Sequence, residues 1–293
     1  MNMTQQYNFL VADFPFTIET TPEVLEQCPN YAPFQCPMTN HQSPIANLRV
    51  SGEPIPATDE WTHVYTDQSD DDMPRIEIYK RDTDWLFLVS EYRDTPVVSA
   101  LLCDEAMQHG VLYGEPSRFS VDNAMMLLFA FATAPHQTLL FHSAVIVYEG
   151  KGYMFLGHSG TGKSTHARQW LTAFPSAELL NDDNPVVRVF EDGSVRVYGS
   201  PWSGKTPCYK ASDAPLQALV QLAQAPHNEI RLLKQTQAYP HILASVSGLK
   251  MEPAMMDSLY ETIAALLAST SVYFLECLPN PEAAQVCYSR SSH

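Results

Sequence analysis

One stretch, LLFHSAVIVYEGKGYMFLGHSGTGKSTHARQWLTAF at residues 139–174, constrains this chain more than any other. Its two apolar runs, 144–148 and 153–156, are separated only by Glu149, Gly150, Lys151 and Gly152. A connection that short joins antiparallel strands, because a parallel pair needs a long crossover. The second run leads straight into GHSGTGKST, after which Ala167, Trp170, Leu171 and Phe174 fall at i, i+3, i+4 and i+7. That is the single apolar stripe of a helix packed on a sheet, and Pro175 ends it. The expected order is therefore hairpin, glycine-rich loop, helix.

The loop at 157–165 fits G-x-x-x-x-G-K-[ST], and so does GSPWSGKTP at 199–207. Such a loop holds phosphate when glycines let backbone N–H groups converge on the anion and a helix begins at the same spot with its positive end. The first stretch meets both demands, with Gly157, Gly160 and Gly162 before an amphipathic helix. The second carries Pro201, Trp202 and Pro207 and has no apolar stripe after it. Prolines remove donors and break helices. The nucleotide is thus expected on Gly157, Ser159, Gly160, Thr161, Gly162, Lys163, Ser164 and Thr165. Lys163 would reach the β and γ phosphates of ATP, and the Ser164 hydroxyl would sit on Mg2+.

An acidic pair, Asp182 and Asp183, follows the next apolar run. Adjacent residues on a strand point to opposite faces, so both serve one site only if the strand has given way to a loop, as Asn184 and Pro185 suggest. One carboxylate can then hold Mg2+ while the other accepts a proton from a substrate hydroxyl.

Around this core the reading is coarser. Residues 1–115 show short β-rich runs (FTIET, NLRVS, WTHVYT, RIEIYKR, WLFLVSEY, PVVSALLC) broken by turn residues, and predict a mostly β amino-terminal region. AMMLLFAFATA at 124–134 reads as a buried helix, too short to span a bilayer. In the second region, 116–293, VVRVF and VRVYG form a hairpin about Asp192 and Gly193. PLQALVQLAQ at 215–224 reads as a short helix, PAMMDSLYETIAALLAST as a helix, SVYFLEC as a strand and NPEAAQVCYSR as a last helical piece.

The net charge of −16, from 33 acidic against 17 basic residues, argues against nucleic-acid and membrane partners. The acidic run Asp70 to Asp72 reads as a solvated loop. The first 48 residues carry no Lys or Arg, hence no basic leader, and six scattered cysteines suit reduced thiols in a cytoplasmic protein.

The segment FHSAVIVYEGKGYMFLGHSGTGKST followed by LLNDDNPVV resembles the catalytic domain of HPr kinase/phosphorylase and, more remotely, the nucleotide-binding domain of phosphoenolpyruvate carboxykinase. It is most similar to the HPr-kinase-related group of bacterial gene clusters, over about residues 140–290. The resemblance implies an α/β fold: a P-loop domain of that type with a mixed sheet, preceded by the mostly β region. It also implies that His142 matches the histidine opening the family hairpin, Lys163 and Ser164 its phosphate and metal residues, Asp182 the proposed base and Asp183 the second, metal-holding acid. Thr165 stands where HPr kinases have Glu, and their downstream E-I-R-G-L-G is missing. The second loop falls where related kinases place a loop facing the active site, which would bring Lys205, with Lys210, to the transferred phosphoryl.

Two functions follow as expectations. One is an ATP- and Mg2+-dependent kinase acting on a hydroxyl-bearing peptide, protein or small-molecule acceptor. The other is a catalytically silent nucleotide-binding regulatory or assembly protein. Either is compatible with a homo-oligomer.

Overall fold

The computed structural model describes residues 3–37, 43–67, 74–204, 206–247 and 253–292. Asp70 to Asp72 and Lys205 therefore lie outside the described residues. The chain divides into two units, 1–133 and 134–293.

The first unit is built on the runs that read as strands: β1 (Gln5–Val11), β2 (Phe14–Thr20), β3 (Ala46–Val50), β4 (Thr62–Asp67), β5 (Arg75–Arg81), β6 (Asp84–Ser90), β7 (Val97–Cys103) and β8 (His109–Gly114). They form one eight-stranded sheet in the order β1-β2-β3-β8-β7-β6-β5-β4. All neighbours are antiparallel except β2 with β3 and β3 with β8. A short helix, α1 (Pro22–Glu26), follows β2. The long apolar run forms α2 (Arg118–Thr133), which packs on this sheet through buried Phe129 against Phe14 and Phe16. The division thus falls after this helix, whereas composition alone places it at residue 115.

The second unit holds β9 (Thr138–Phe141), β10 (Ser143–Tyr148), β11 (Lys151–Leu156), β12 (Glu178–Asp183), β13 (Val186–Val189), β14 (Val195–Tyr198), β15 (Asp213–Gln224), β16 (Glu229–Leu232), β17 (Val246–Ser247) and β18 (Ser271–Cys277). Its helices are α3 (Lys163–Ala173), α4 (Gln235–Ser245), α5 (Pro253–Ser269) and α6 (Pro281–Ser291). The sheet has ten strands, eight of them in the order β12-β10-β11-β15-β14-β13-β9-β17, with β18 also paired to β15 and β16 to β18.

Two expectations are corrected here. Residues 213–224 form the strand β15, not a helix. Leu, Gln and Ala favour helices, but this segment lies between β11 and β18 and is buried along most of its length, so tertiary pairing overrides propensity. The fold class changes with it. Strand accounts for 40% of the residues and helix for 29%, so the protein is two large mixed β-sheets with few helices. It is not an α/β P-loop domain of the HPr kinase type. In the second unit's sheet, among the described residues, only β11, β15 and β18 run parallel side by side, while β9, β13, β14 and β17 extend the sheet in antiparallel fashion.

The hairpin β10–β11 forms as its spacing requires, with Ala144 opposite Phe155 and Tyr148 opposite Lys151. One face of the sheet packs Tyr153, Phe155, Val220 and Leu275 against Ala167 and Trp170 of α3 and Ala284 and Cys287 of α6. The other packs Val145, Met154, Leu156 and Leu219 against Ile242 of α4 and Ile263 and Leu266 of α5. Tyr288 ties α6 to α3, with ring centroids 5.3 Å from Phe174 and 6.0 Å from Trp170. Such aromatic pairs each add about 1 kcal/mol beyond their buried area.

Trp170 is fully buried and its Nε1 donates to His166 Nε2 at 3.1 Å. An indole N–H only donates, so His166 must keep a lone pair on Nε2 and stay neutral. Burial accordingly lowers the His166 pKa from 6.5 to about 4. Below about pH 6.5 the unfolded chain takes up this proton and the folded chain does not. Stability therefore falls between those values, by about 3 kcal/mol in all. Urea unfolding at a series of pH values should show this loss, and His166→Gln should remove most of the slope; an unchanged slope would refute the assignment.

Candidate functional site

Strand direction gathers the site. β12 is antiparallel to β10 and β10 to β11, while β11, β15 and β18 are parallel. The carboxyl ends of β11, β12, β15 and β18 and the amino end of β10 therefore share one edge. The glycine loop leaves β11 there, the acidic pair ends β12, His142 precedes β10 and Gln224 ends β15. With β10 between them, β11 and β12 are about 10 Å apart.

The loop has the local geometry its sequence promises. Gly162 caps α3 with φ of +106°, a left-handed conformation that costs other residues energy. The first N–H groups of α3, from Lys163, Ser164 and Thr165, have no acceptor within the helix and carry its positive end. Several loop carbonyls are engaged: Lys163 Nζ donates to Gly157 O at 2.8 Å and His158 O at 3.3 Å, and Gln224 Nε2 donates to Gly160 O at 3.0 Å. Lys163 thus folds back onto its own loop. Gln224 belongs to the segment expected to be a helix, so no local signal marks it as the residue that holds the loop.

The acidic pair is placed differently from expectation. β12 continues through Asp183, so the two side chains point to opposite faces. Asp182 stands opposite Ala144, on the α3 side, and is 5% exposed. Its charge helps hold the Cys208 thiol in its protonated form, a shift due first to burial. Asp183 stands opposite Ser143, and its Oδ1 lies 2.9 Å from His142 Nδ1. That is ion-pair distance, yet the ring N–H does not align with the carboxylate: His142 Nδ1, like Ser143 Oγ, is buried with no hydrogen-bond partner among the described residues. The His142 backbone N–H donates to Ser245 O at the end of α4, 2.7 Å away.

The second loop carries no helix. It packs on the acidic pair: Ser203 bridges to Asp183, and Gly204 N donates to Asp182 O at 3.0 Å. A buried polar network fastens it. Asn181 Nδ2 donates to Ser200 Oγ at 3.1 Å and Trp202 O at 3.2 Å, and Asn181 Oδ1 accepts from the N–H groups of Asp183 and Asn184. Ser200 Oγ donates in turn to Asn184 O at 2.6 Å. Trp202 fills the core, 3% exposed. Lys210 Nζ is bound to Glu178 Oε2 at 2.9 Å, at the far end of β12 from the pair.

Two other features stand apart. A cleft of about 250 Å3 lined by Leu233, Gln235, Ala238, Leu267 and Val272 shares no residue with the loop or the acidic pair. His227, Glu229 and Glu276 bring ligand-type atoms within 4.8 Å of one another at the surface.

No curated protein matches the chain. A family model described as the SynChlorMet cassette protein ScmC matches residues 117–267. This overturns the HPr kinase resemblance: the order of hairpin, glycine loop and acidic pair is shared, but the match is to another family and the β-rich architecture supports neither kinase nor P-loop membership. No helix among the described residues is long and apolar enough to cross a membrane. With more than half of its length matched, the chain belongs to the family of the SynChlorMet cassette protein ScmC.

Proposed function

We propose that this protein binds a nucleoside triphosphate with Mg2+ on the loop at 157–165. One observation carries the reading: a glycine-capped helix opens at the sheet edge where the acidic pair also ends, and its loop carbonyls are held by Lys163 and Gln224. A polyphosphate suits those amides and that positive helix end. A Cβ added at Gly160 meets nothing within 4 Å, so this part of the loop faces open space. Ser164 and Asp182, both on the α3 side, are the residues that would hold Mg2+, a hard cation that takes oxygen ligands. When bound, the ion would neutralise phosphate charge.

A second reading, phosphoryl transfer to a hydroxyl, is favoured by the pairing of Asp183 with His142. In it the Asp183 carboxylate at the end of β12 accepts the hydroxyl proton, in place of Asp182, the base that the family resemblance implied, while the hydroxyl oxygen takes the terminal phosphoryl and the nucleoside diphosphate leaves. The acceptor, a peptide, protein or small molecule, is identified here only by its hydroxyl.

The test is incubation with labelled ATP, Mg2+ and Ser- or Thr-bearing acceptors, alongside calorimetric titration of MgATP. Binding with transfer that falls about 100-fold in Asp183→Asn supports the second reading. Binding without turnover supports the first alone, and no binding refutes both.

A further inference from the structure

In a chain with a net charge of −16, the ladder between β16 and β18 sets two carboxylates against each other. Glu229 stands directly opposite Glu276, so both side chains lie on one face, with Cβ atoms about 5 Å apart. Like charges in that position destabilise a sheet unless a cation joins them. Among the described residues, no lysine or arginine forms an ion pair with either glutamate. Arg231, two residues along β16 on the same face, lays its guanidinium 4.7 Å from the Phe274 ring instead. The group that does meet the glutamates is an imidazole. His227 Nε2 lies 4.0 Å from Glu229 Oε2, and one ligand-type atom from each of the three residues lies within 4.8 Å of the other two. The turn carrying His227 is tied to the end of β18: Ala225 N donates to Cys277 O at 3.2 Å, Leu278 N to Asn228 Oδ1 at 2.8 Å, and Asn228 Nδ2 to Asn280 Oδ1 at 3.2 Å. His227 is therefore kept beside Glu276 by bonds that use none of the three side chains.

We propose that His227, Glu229 and Glu276 form a site for a divalent transition-metal cation of the Zn2+ class, which clamps β16 and the turn at 225–228 to β18. Bonds of about 2 Å to each donor place the donors on one ion about 3 to 4 Å apart, so small rotations of the exposed His227 and Glu229 side chains close the set. One imidazole nitrogen with two carboxylates suits Zn2+ better than Mg2+ or Ca2+, which prefer oxygen alone. Three protein donors leave a further position for water. The site is separate from the one proposed for Mg2+. Leu275 packs on the side of α3 and α6, so Glu276, the next residue along the strand, faces the other way, whereas Ser164 and Asp182 lie on the α3 side. It shares no residue with the glycine loop and does not rest on nucleotide binding.

The probe is Zn2+ alone, titrated calorimetrically into the untagged full chain after its thiols are reduced and bound metal is stripped. One ion per chain should bind at these residues with a dissociation constant of about 10 μM, and about 5 mM Mg2+ should not displace it. His227→Ala and Glu276→Gln should each weaken this binding about tenfold or more, while His63→Ala, which removes an exposed histidine of the first unit, should leave it unchanged. Thermal unfolding supplies a second readout, and its sign is informative. With a chelator present, Glu276→Gln removes one of two opposed charges and should raise Tm slightly. In about 1 mM Zn2+ the parent should gain several degrees and the variant should not. A variant whose Tm falls equally with and without Zn2+ would assign Glu276 to the fold and overturn the clamp. A parent that takes up no Zn2+ below about 1 mM, or one whose Zn2+ affinity survives both His227→Ala and Glu276→Gln, would overturn the site.

Discussion

Lys163→Ala is expected to weaken MgATP binding roughly 10- to 100-fold, the range for losing charge-assisted hydrogen bonds to an anion. The substitution acts in two ways. It removes the ammonium available to the phosphates, and it releases the carbonyls of Gly157 and His158, which Lys163 Nζ holds at 2.8 Å and 3.3 Å. The loop then loses the arrangement that turns its amides toward a ligand. Lys163→Arg should not rescue it fully, because a planar guanidinium cannot replace a compact ammonium within a tight turn. Thermal stability should change little, since the side chain is only half-buried. An affinity within threefold of the parent's, measured by calorimetry, would contradict the role given to Lys163.

The largest expected effect on stability comes from Gly199→Ala, in the second glycine-rich stretch. A Cβ at this position would lie 2.1 Å from Lys210 O and 3.4 Å from Leu180 O. Both are backbone atoms that cannot swing aside, and Gly199 N already donates to Ser212 O at 2.9 Å. Relief requires moving the end of β14 away from the 208–212 segment. That movement also strains the contacts of Ser200 with Asn181 and Asn184, which hold the acidic pair. Overpacking of this kind costs about 3 kcal/mol, which for a unit of this size lowers Tm by about 10 °C. Thermal unfolding within a few degrees of the parent would show that the approach is looser than described.

These two substitutions also mark what was legible in the sequence. The hairpin, the glycine loop and α3 follow from local spacing: four residues between apolar runs, glycines where the backbone must turn, and a 3.6-residue stripe. The strands of the first unit were legible for the same reason, since alternating β-branched and aromatic residues fit a pleated surface. β15 was not, because its Leu, Gln and Ala carry helix propensity and its strand state comes from neighbours distant in sequence. The faces of Asp182 and Asp183 depended on where β12 ends. Asn184 and Pro185 suggested an early end, whereas pairing with β10 carries the strand through Asp183. Asn181 and Ser200, 19 residues apart, and Gln224 with Gly160, 64 apart, meet only in the fold. The second pattern match shows the limit of motif reading. Its glycines permit close backbone approach to Lys210 and to the acidic pair, so the same residue types served packing. Family membership was the least legible of all, because an order of local elements can be shared by chains that build different sheets around it.

Titration of the full chain with MgATP, followed at the backbone amides of Gly160, Gly162, Lys163 and Ser164, tests the central claim most directly. The account predicts that these amides shift together and saturate, and that Lys163→Ala moves the midpoint of the response to roughly 10- to 100-fold higher ligand concentration. Amides that remain unmoved, whether nothing binds or the nucleotide binds elsewhere, would contradict it.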